Sequence, residues 1–109
     1  MPGIDIGGLL QTMTSTGEGL GSDLWTKMQT FALPELKKIA IQIEAIVEHI
    51  TDYTPAGAKA LFDMQVRASV GVIVAMTELT LLAVQDAINS ILAAIKSTVN
   101  GALNFPLIV

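Results

Sequence analysis

Residues 70–84 read VGVIVAMTELTLLAV, an almost unbroken apolar run with one carboxylate, Glu78, near its middle. The run belongs to a longer segment, residues 55–100, which has no proline beyond its first residue and two interior glycines. Proline and glycine are the residues that most strongly interrupt a helix. The sequence therefore predicts one very long C-terminal helix over residues 55–100, about 65–70 Å in length at 1.5 Å per residue.

The polar residues of this predicted helix share one narrow stripe when they are placed at 100° per residue. The stripe consists of Lys59, Asp63, Arg67, Glu78, Gln85, Asn89 and Lys96. Because Glu78 belongs to the stripe, we interpret it as solvated or paired with another chain, and not as a buried catalytic acid.

Nearly all of the remaining circumference is apolar, whereas a surface helix needs an apolar arc of only ~100°. The shorter preceding helices cannot cover so long an apolar surface, so the sequence predicts self-association. The predicted oligomer interface comprises Val72, Ile73, Leu79, Val84, Ile88, Ile91 and Ile95.

Two shorter helices are predicted before the long one. Ser22 is the predicted N-cap of a helix over residues 22–32, and a second helix over residues 34–51 carries one apolar face. Pro34 is acceptable at the first position of a helix, although it could also kink one longer helix. We therefore expect two helices separated at Pro34.

The two ends of the chain are predicted to be irregular. Six of the nine glycines fall within residues 1–21, which predicts a flexible Gly-rich arm. Thr54 is the predicted N-cap of the long helix, and Asn100 with the following glycine is its predicted stop. Residues 101–109 then form an apolar C-terminal tail.

The composition indicates one small domain with an excess of apolar surface. The chain has 109 residues, of which 51% are hydrophobic and 15% are charged, and its mean hydropathy is +0.60. A small monomer has proportionally more surface to cover with polar groups than a large protein. The apolar excess therefore indicates burial against a sister subunit, another protein or lipid.

Charge and cysteine content argue against several classes of function. The net charge is −4 and the six lysines and arginines are scattered, so nucleic-acid binding is not expected. Without cysteine, disulfides, thiolate zinc sites and thiol nucleophiles are excluded. No lysine or arginine precedes Lys27, so we expect no ordinary signal peptide, and a cytoplasmic location or export by a leaderless route.

Lipid is the main rival of a sister subunit for the apolar surface. A spanning helix needs ~20 mostly apolar residues, and the charge-free runs of the long helix are shorter than that. Residues 68–85 could span with Glu78 at mid-membrane, at a cost of ~2.5–3.5 kcal/mol for comparable charged groups. Membrane contact is thus the less favoured interpretation.

Three carboxylates, Glu44, Glu48 and Asp52, form a slanting row at i, i+4 and i+8. Ferritin-like bundles bind metal through inward glutamates and a Glu-x-x-His motif, which this chain lacks. A solvated helix face is the favoured interpretation of the row, with metal binding as an alternative. The single histidine, His49, lies on the same polar face without a recognisable nucleophile motif, so no catalytic site and no cofactor are predicted.

The sequence thus predicts an all-α fold, a helical hairpin with one very long C-terminal helix, in a single helical domain over residues 22–100 that pairs into an oligomeric helical bundle. The predicted function is that of a non-enzymatic structural protein that self-assembles into a homo-oligomer or filament. Subunits of secretion rods and phage assemblies share this general arrangement, but no motif assigns the chain to either. The alternatives are a membrane-active helical protein, a small ferritin-like carboxylate metal protein, and a carrier with an apolar cavity for a small molecule.

Overall fold

The computed structural model describes residues 4–108, and this part of the chain is all-α, without a strand. The predicted fold class is therefore confirmed at this level. The helices are α1 (Ile6–Glu18), α2 (Ser22–Glu48), α3 (Pro55–Thr77), α4 (Leu81–Ala93) and α5 (Lys96–Leu103), with a short 3₁₀ turn, Ile50–Asp52, between α2 and α3.

The first four helices close a ring around one core. Each helix packs against the next along the chain, and α4 returns to pack against α1, while α5 lies against α2 and α4. The 27 residues of α2 span about 40 Å at 1.5 Å per residue, which matches the longest dimension of the molecule, 40 Å. The molecule is thus as long as α2 and shorter than the predicted rod.

The core is made from one side of each helix. The predicted apolar face of residues 34–51 is buried along most of its length, because its first six members are at most 1% exposed. These residues are Leu36, Ile39, Ala40, Ile43, Ile46 and Val47. Burial of each large aliphatic side chain stabilises the fold by ~1.5–3 kcal/mol. The amphipathic pattern of α2 therefore organises the bundle around it.

The prediction of one very long C-terminal helix is wrong. The segment is divided into α3, α4 and α5, and its first interruption falls at Glu78. Glu78 has a left-handed backbone, with φ at 62°, which ends α3 and reverses the chain. Glu78 is therefore an exposed turn residue, not a member of a stripe on a continuous rod.

Two threonines provide the hydrogen bonds of this turn. The Thr77 hydroxyl donates to the Ile73 carbonyl at 2.6 Å and accepts from the Leu79 amide at 3.3 Å. The Thr80 hydroxyl accepts from the Ala83 amide at 3.1 Å, which makes Thr80 the N-cap of α4. Both ends of the interrupted helix thus replace lost intrahelical hydrogen bonds locally.

The second interruption, at Ala94 and Ile95, has no threonine cap. The amides of these residues donate to carbonyls three positions earlier, a tightening that is typical of the last turn of a helix. The predicted stop at Asn100 is wrong, since α5 continues to Leu103 and ends at Asn104, whose φ is 62°.

The predicted flexible arm is also wrong for the described residues, because most of residues 1–21 form α1; residues 1–3 lie outside the described part. Leu9, Met13 and Gly17 recur every fourth position and are buried, so they place one side of α1 against the core. A Cβ on Gly17 would overlap the ring of Trp25. This glycine therefore permits close packing and does not provide flexibility.

Pro34 does not separate two helices, because α2 is continuous from Ser22 to Glu48 with Pro34 inside it. Ser22 is the first helical residue and Gly21 occupies the N-cap position, which corrects the predicted cap. Thr30 and Pro34 are both exposed, so water can hydrate the carbonyl that proline leaves without a donor. At the start of α3, by contrast, the predicted cap is confirmed: the Thr54 hydroxyl accepts from the Gly57 amide at 2.9 Å.

We expect Glu78→Gly to stabilise the protein. A left-handed backbone costs a non-glycine residue about 1–2 kcal/mol, part of which glycine loses again through its more flexible unfolded chain. The free energy of unfolding in urea should therefore rise by ~0.5–1 kcal/mol. Glu78→Ala is the control and should change little. A fall of ~1 kcal/mol in the glycine variant would instead indicate a continuous helix at this position.

Gly17→Ala should destabilise the protein in spite of the better helix propensity of alanine. The added methyl group must displace the Trp25 ring, and overpacking of this kind costs ~1–3 kcal/mol. Gly101→Ala is the matched control, because no atom lies within 4 Å of the position its Cβ would take. Thermal unfolding should show a lower Tm for the first variant and an equal or higher Tm for the second.

Candidate interaction surface on the third helix

Five of the seven predicted interface residues are buried inside the single chain. Ile73, Val84, Ile88, Ile91 and Ile95 are each at most 1% exposed. They were selected on the assumption that one chain could not cover them, which is wrong because the chain reversal packs α4 against both α1 and α3.

Of the seven, Val72 and Leu79 keep surface that a second chain could contact. Val72 is 39% exposed and Leu79 is half-buried. Val72 lies among a set of exposed apolar residues on α3.

The outer face of α3 consists of Ala60, Leu61, Met64, Ala68, Gly71, Val72, Ala75 and Met76, all of them exposed. Met64 and Met76 are 66% and 59% exposed, which is unusual for side chains of this size. Between residues 60 and 76, all of which the structure describes, Arg67 is the single charged residue at an exposed position. A folded helix thus presents an almost uncharged surface over most of its length.

Part of the outer face has the spacing of a helix–helix seam. Residues at intervals of three and four positions stay on one side of a helix, as the a and d positions of a coiled coil do. The seam of α3 consists of Leu61, Met64, Ala68, Gly71 and Ala75, at intervals of 3, 4, 3 and 4. No atom lies within 4 Å of the position that a Cβ on Gly71 would occupy, so the chain itself does not require a glycine there.

The same helix is long and apolar enough to cross a membrane. Within the described residues it is the one helix that meets this criterion, with a mean hydropathy of 1.3 over 18 residues, 22% of which are buried. Two exposed leucines at the start of α4, Leu81 and Leu82, add apolar surface beyond the turn. The length and composition of α3 are therefore compatible with a lipid contact as well as with a protein contact.

The predicted polar stripe is folded back on itself by the turn at Glu78. Lys59, Asp63 and Arg67 on α3 lie along a groove whose other wall, on α4, carries Gln85 and Asn89. This α3–α4 groove has a volume of about 490 Å³. The chain reversal thus converts a row of polar residues into the two walls of one concave site.

The carboxylate row does not form a metal centre in the described part of the chain. Glu44 is half-buried, Glu48 and Asp52 are exposed, and no group of three or more histidine, aspartate or glutamate side chains is placed to hold a metal ion within residues 4–108. Asp52 lies 3.4 Å from His49, measured from Oδ2 to Nδ1, with both side chains largely exposed. An exposed pair of this kind contributes little to stability.

One buried carboxylate was missed by the sequence analysis. The Glu35 side chain is 6% exposed, and Lys38 Nζ donates to its Oε2 at 2.9 Å. Glu35 lies about 40° from Ile39 around the helix axis, at the edge of the buried face. Because this angle follows from the spacing of four residues, the sequence does contain a signal for the burial of Glu35. The pair closes the rim of the core on α2.

Asn100 holds the C-terminal tail in place, which the sequence analysis also missed. Its Oδ1 accepts from the amides of Leu107 and Ile108 at 2.9 and 3.0 Å, and its Nδ2 donates to the Ile108 carbonyl at 2.9 Å. Both tail residues are at most 5% exposed. The apolar tail is thus part of the core.

Comparison of the chain with family models, with curated proteins and with solved structures finds no match in any of the three. Functional conclusions therefore rest on the geometry of the outer face of α3 and of the α3–α4 groove.

Asn100→Ala should destabilise the protein by ~1–3 kcal/mol, because it leaves two backbone amides and one carbonyl of the tail without their partner. Urea unfolding gives the free energy, and hydrogen exchange should show faster exchange at Leu107 and Ile108. Asn89→Ala is the control: Asn89 is exposed and makes no hydrogen bond within the described residues, so its loss should change stability by less than about 0.5 kcal/mol. Equal effects of the two variants would contradict the role of Asn100.

Proposed function

We propose that this protein is a non-enzymatic structural subunit that assembles with copies of itself through the outer face of α3. The observation that carries the proposal is the seam of exposed apolar residues at 3 and 4 spacing on a helix that is already folded. A surface of this kind on a soluble domain marks a contact with another molecule.

The spacing of the seam favours a helix as the partner. Side chains at a and d positions insert between residues of a facing helix, and the 3–4 interval is the geometric requirement for that contact. Alanine and glycine at three of the five seam positions allow two backbones to approach closely. Leu61 and Met64 then supply larger apolar contacts near the first half of α3.

A second copy of the same chain is the partner that fits the composition of the seam. The five seam residues carry no charge and no hydrogen-bonding side chain, so two copies can meet without burying an unpaired polar group. The seam also lacks the charges that select one foreign partner over another. Self-pairing of one patch gives a closed dimer with two-fold symmetry, the commonest form of homo-oligomer.

Growth beyond a dimer requires a second surface. Helix α2 carries three exposed apolar residues, Phe31, Leu33 and Ile41, which are 36%, 40% and 47% exposed. Phe31 and Leu33 lie about 160° apart around the helix, and Ile41 lies about 80° from each of them. Ile41 is an apolar residue on the otherwise polar side of this helix. Contacts through α2 in addition to α3 would extend the assembly into a larger oligomer or a filament.

A membrane surface is the second candidate partner, because α3 is long and apolar enough to contact lipid along its length. Its 23 residues span about 35 Å, slightly more than the ~30 Å hydrocarbon core of a bilayer. Phe62 and Ile73 anchor α3 in the protein core, so full insertion would require the bundle to open. Peripheral contact through the outer face is the form that keeps the fold intact.

Ala68→Glu should convert the assembly to monomers, because it places a charge at the centre of the seam. Light scattering coupled to size exclusion, without detergent, should give the wild-type protein at least twice the 11.5 kDa mass of one chain, and the variant a mass near 11.5 kDa. Ala93→Glu makes the same change at an exposed position of α4 and should leave the assembly intact. Circular dichroism should show equal helix content in all three proteins.

The same experiment separates the two partners. A wild-type mass of one chain contradicts self-assembly through α3. If that monomer also sediments with phosphatidylcholine vesicles, and Ala68→Glu abolishes sedimentation, the membrane surface becomes the supported partner. If Ala93→Glu disrupts the assembly as strongly as Ala68→Glu does, the contact lies on α4 and not on the seam.

A further inference from the structure

We infer that the α3–α4 groove is a binding site for a small anionic amphiphile, a molecule with a carboxylate, sulfonate or phosphate head on an apolar body. Its volume of about 490 Å³ lies within the range of sites that hold small organic ligands. The inference goes beyond self-assembly, because the charged part of the groove is separate from the centre of the seam, although the two surfaces meet at Gly71, which belongs to both. Asp63 and Ala68 are separated by about 140° around the helix axis.

The charge of the groove favours an anion. Two cations, Lys59 and Arg67, flank one carboxylate, Asp63, so the groove has a balance of +1 on a chain whose net charge is −4. These three residues are spaced by four positions and share one side of α3. The groove thus carries a net positive charge, although the net charge of the whole protein is negative, and this positive charge lies in a concave site.

The cations of the groove are not engaged by the protein. In residues 4–108, neither Lys59 nor Arg67 forms an ion pair, although Asp63 is four positions from each of them. Both cations therefore retain their donors for a ligand. Arginine can place two parallel N–H donors on a carboxylate, sulfonate or phosphate, and the amides of Gln85 and Asn89 can donate from the opposite wall.

The floor of the groove suits an apolar body. Val66 and Val70 line it on α3, and Val70 is 5% exposed. A second cavity of about 300 Å³ shares Asp63, Val66 and Asn89 as lining residues, so the two are adjacent. Its walls include Phe62, Leu92 and the anchored tail residue Ile108. A ligand can thus place its head between the cations and extend its body along an apolar surface.

Two fluorescent probes with the same aromatic body test the inference. Anilinonaphthalene sulfonate carries an anionic head, and N-phenylnaphthylamine lacks it. In fluorescence titrations of the wild-type protein, the sulfonate should bind at one site per chain and more tightly than the neutral probe. The double variant Lys59→Gln, Arg67→Gln should weaken sulfonate binding by about tenfold or more, as expected for lost charge-assisted hydrogen bonds, and should change binding of the neutral probe by less than about twofold.

The double variant Lys27→Gln, Lys37→Gln is the matched control, because it removes two exposed cations of α2 outside the groove and changes the net charge equally. Asp63→Asn should strengthen sulfonate binding by about threefold, since it removes the carboxylate that repels the head. This expected gain cannot result from misfolding.

The inference is overturned if the groove variant weakens sulfonate binding no more than the control does. It is also overturned if both probes lose affinity equally, or if Asp63→Asn leaves the affinity of the sulfonate unchanged.

When the sulfonate binds as expected, competition with anionic vesicles of phosphatidylglycerol and with free decanoate identifies the source of the head group. Competition by decanoate at the groove indicates a soluble ligand, and competition by vesicles indicates a lipid.

Discussion

The reversal of the chain at residues 77–80 is the constraint on which the rest of the structure depends. A continuous helix over residues 55–100 would expose apolar side chains around most of its circumference. The left-handed backbone of Glu78 and the hydroxyl caps of Thr77 and Thr80 let α4 fold back. Because α4 then packs against both α1 and α3, the four helices close a ring that buries these side chains.

The energetic balance explains why a strained residue is tolerated at this turn. A left-handed non-glycine residue costs about 1–2 kcal/mol, whereas each large aliphatic side chain of α4 that enters the core contributes ~1.5–3 kcal/mol. Val84, Ile88 and Ile91 are each fully buried in the folded chain. Their combined burial therefore exceeds the local cost several-fold, and the reversed chain is the more stable arrangement.

The sequence predicted the all-α class and the buried face of α2, because a period of 3.6 residues is a local property of the chain, but it did not predict α1 or the bounds of most other helices. It did not predict the turn, since threonine, glutamate and leucine at residues 77–79 are compatible with a continuous helix and the left-handed backbone follows from tertiary contacts. The same limit applies at Gly17, where a glycine read as flexible is required by the ring of Trp25. The seven predicted interface residues were chosen for a rod, so the reversal buries five of them and leaves the seam on the outer face undetected.

Helix α3 has three sides with different physical properties, and the turn is what separates them. One side enters the core through Phe62 and Ile73, and a second forms a wall of the groove with Lys59 and Arg67. The third is the apolar outer face, which neither α2 nor α4 covers. Without the reversal, the second and third sides would form one mixed surface around a solvent-exposed rod. A single left-handed residue thus places polar residues along a concave groove and leaves apolar residues on an outer face. The two surfaces adjoin each other on one helix and meet at Gly71.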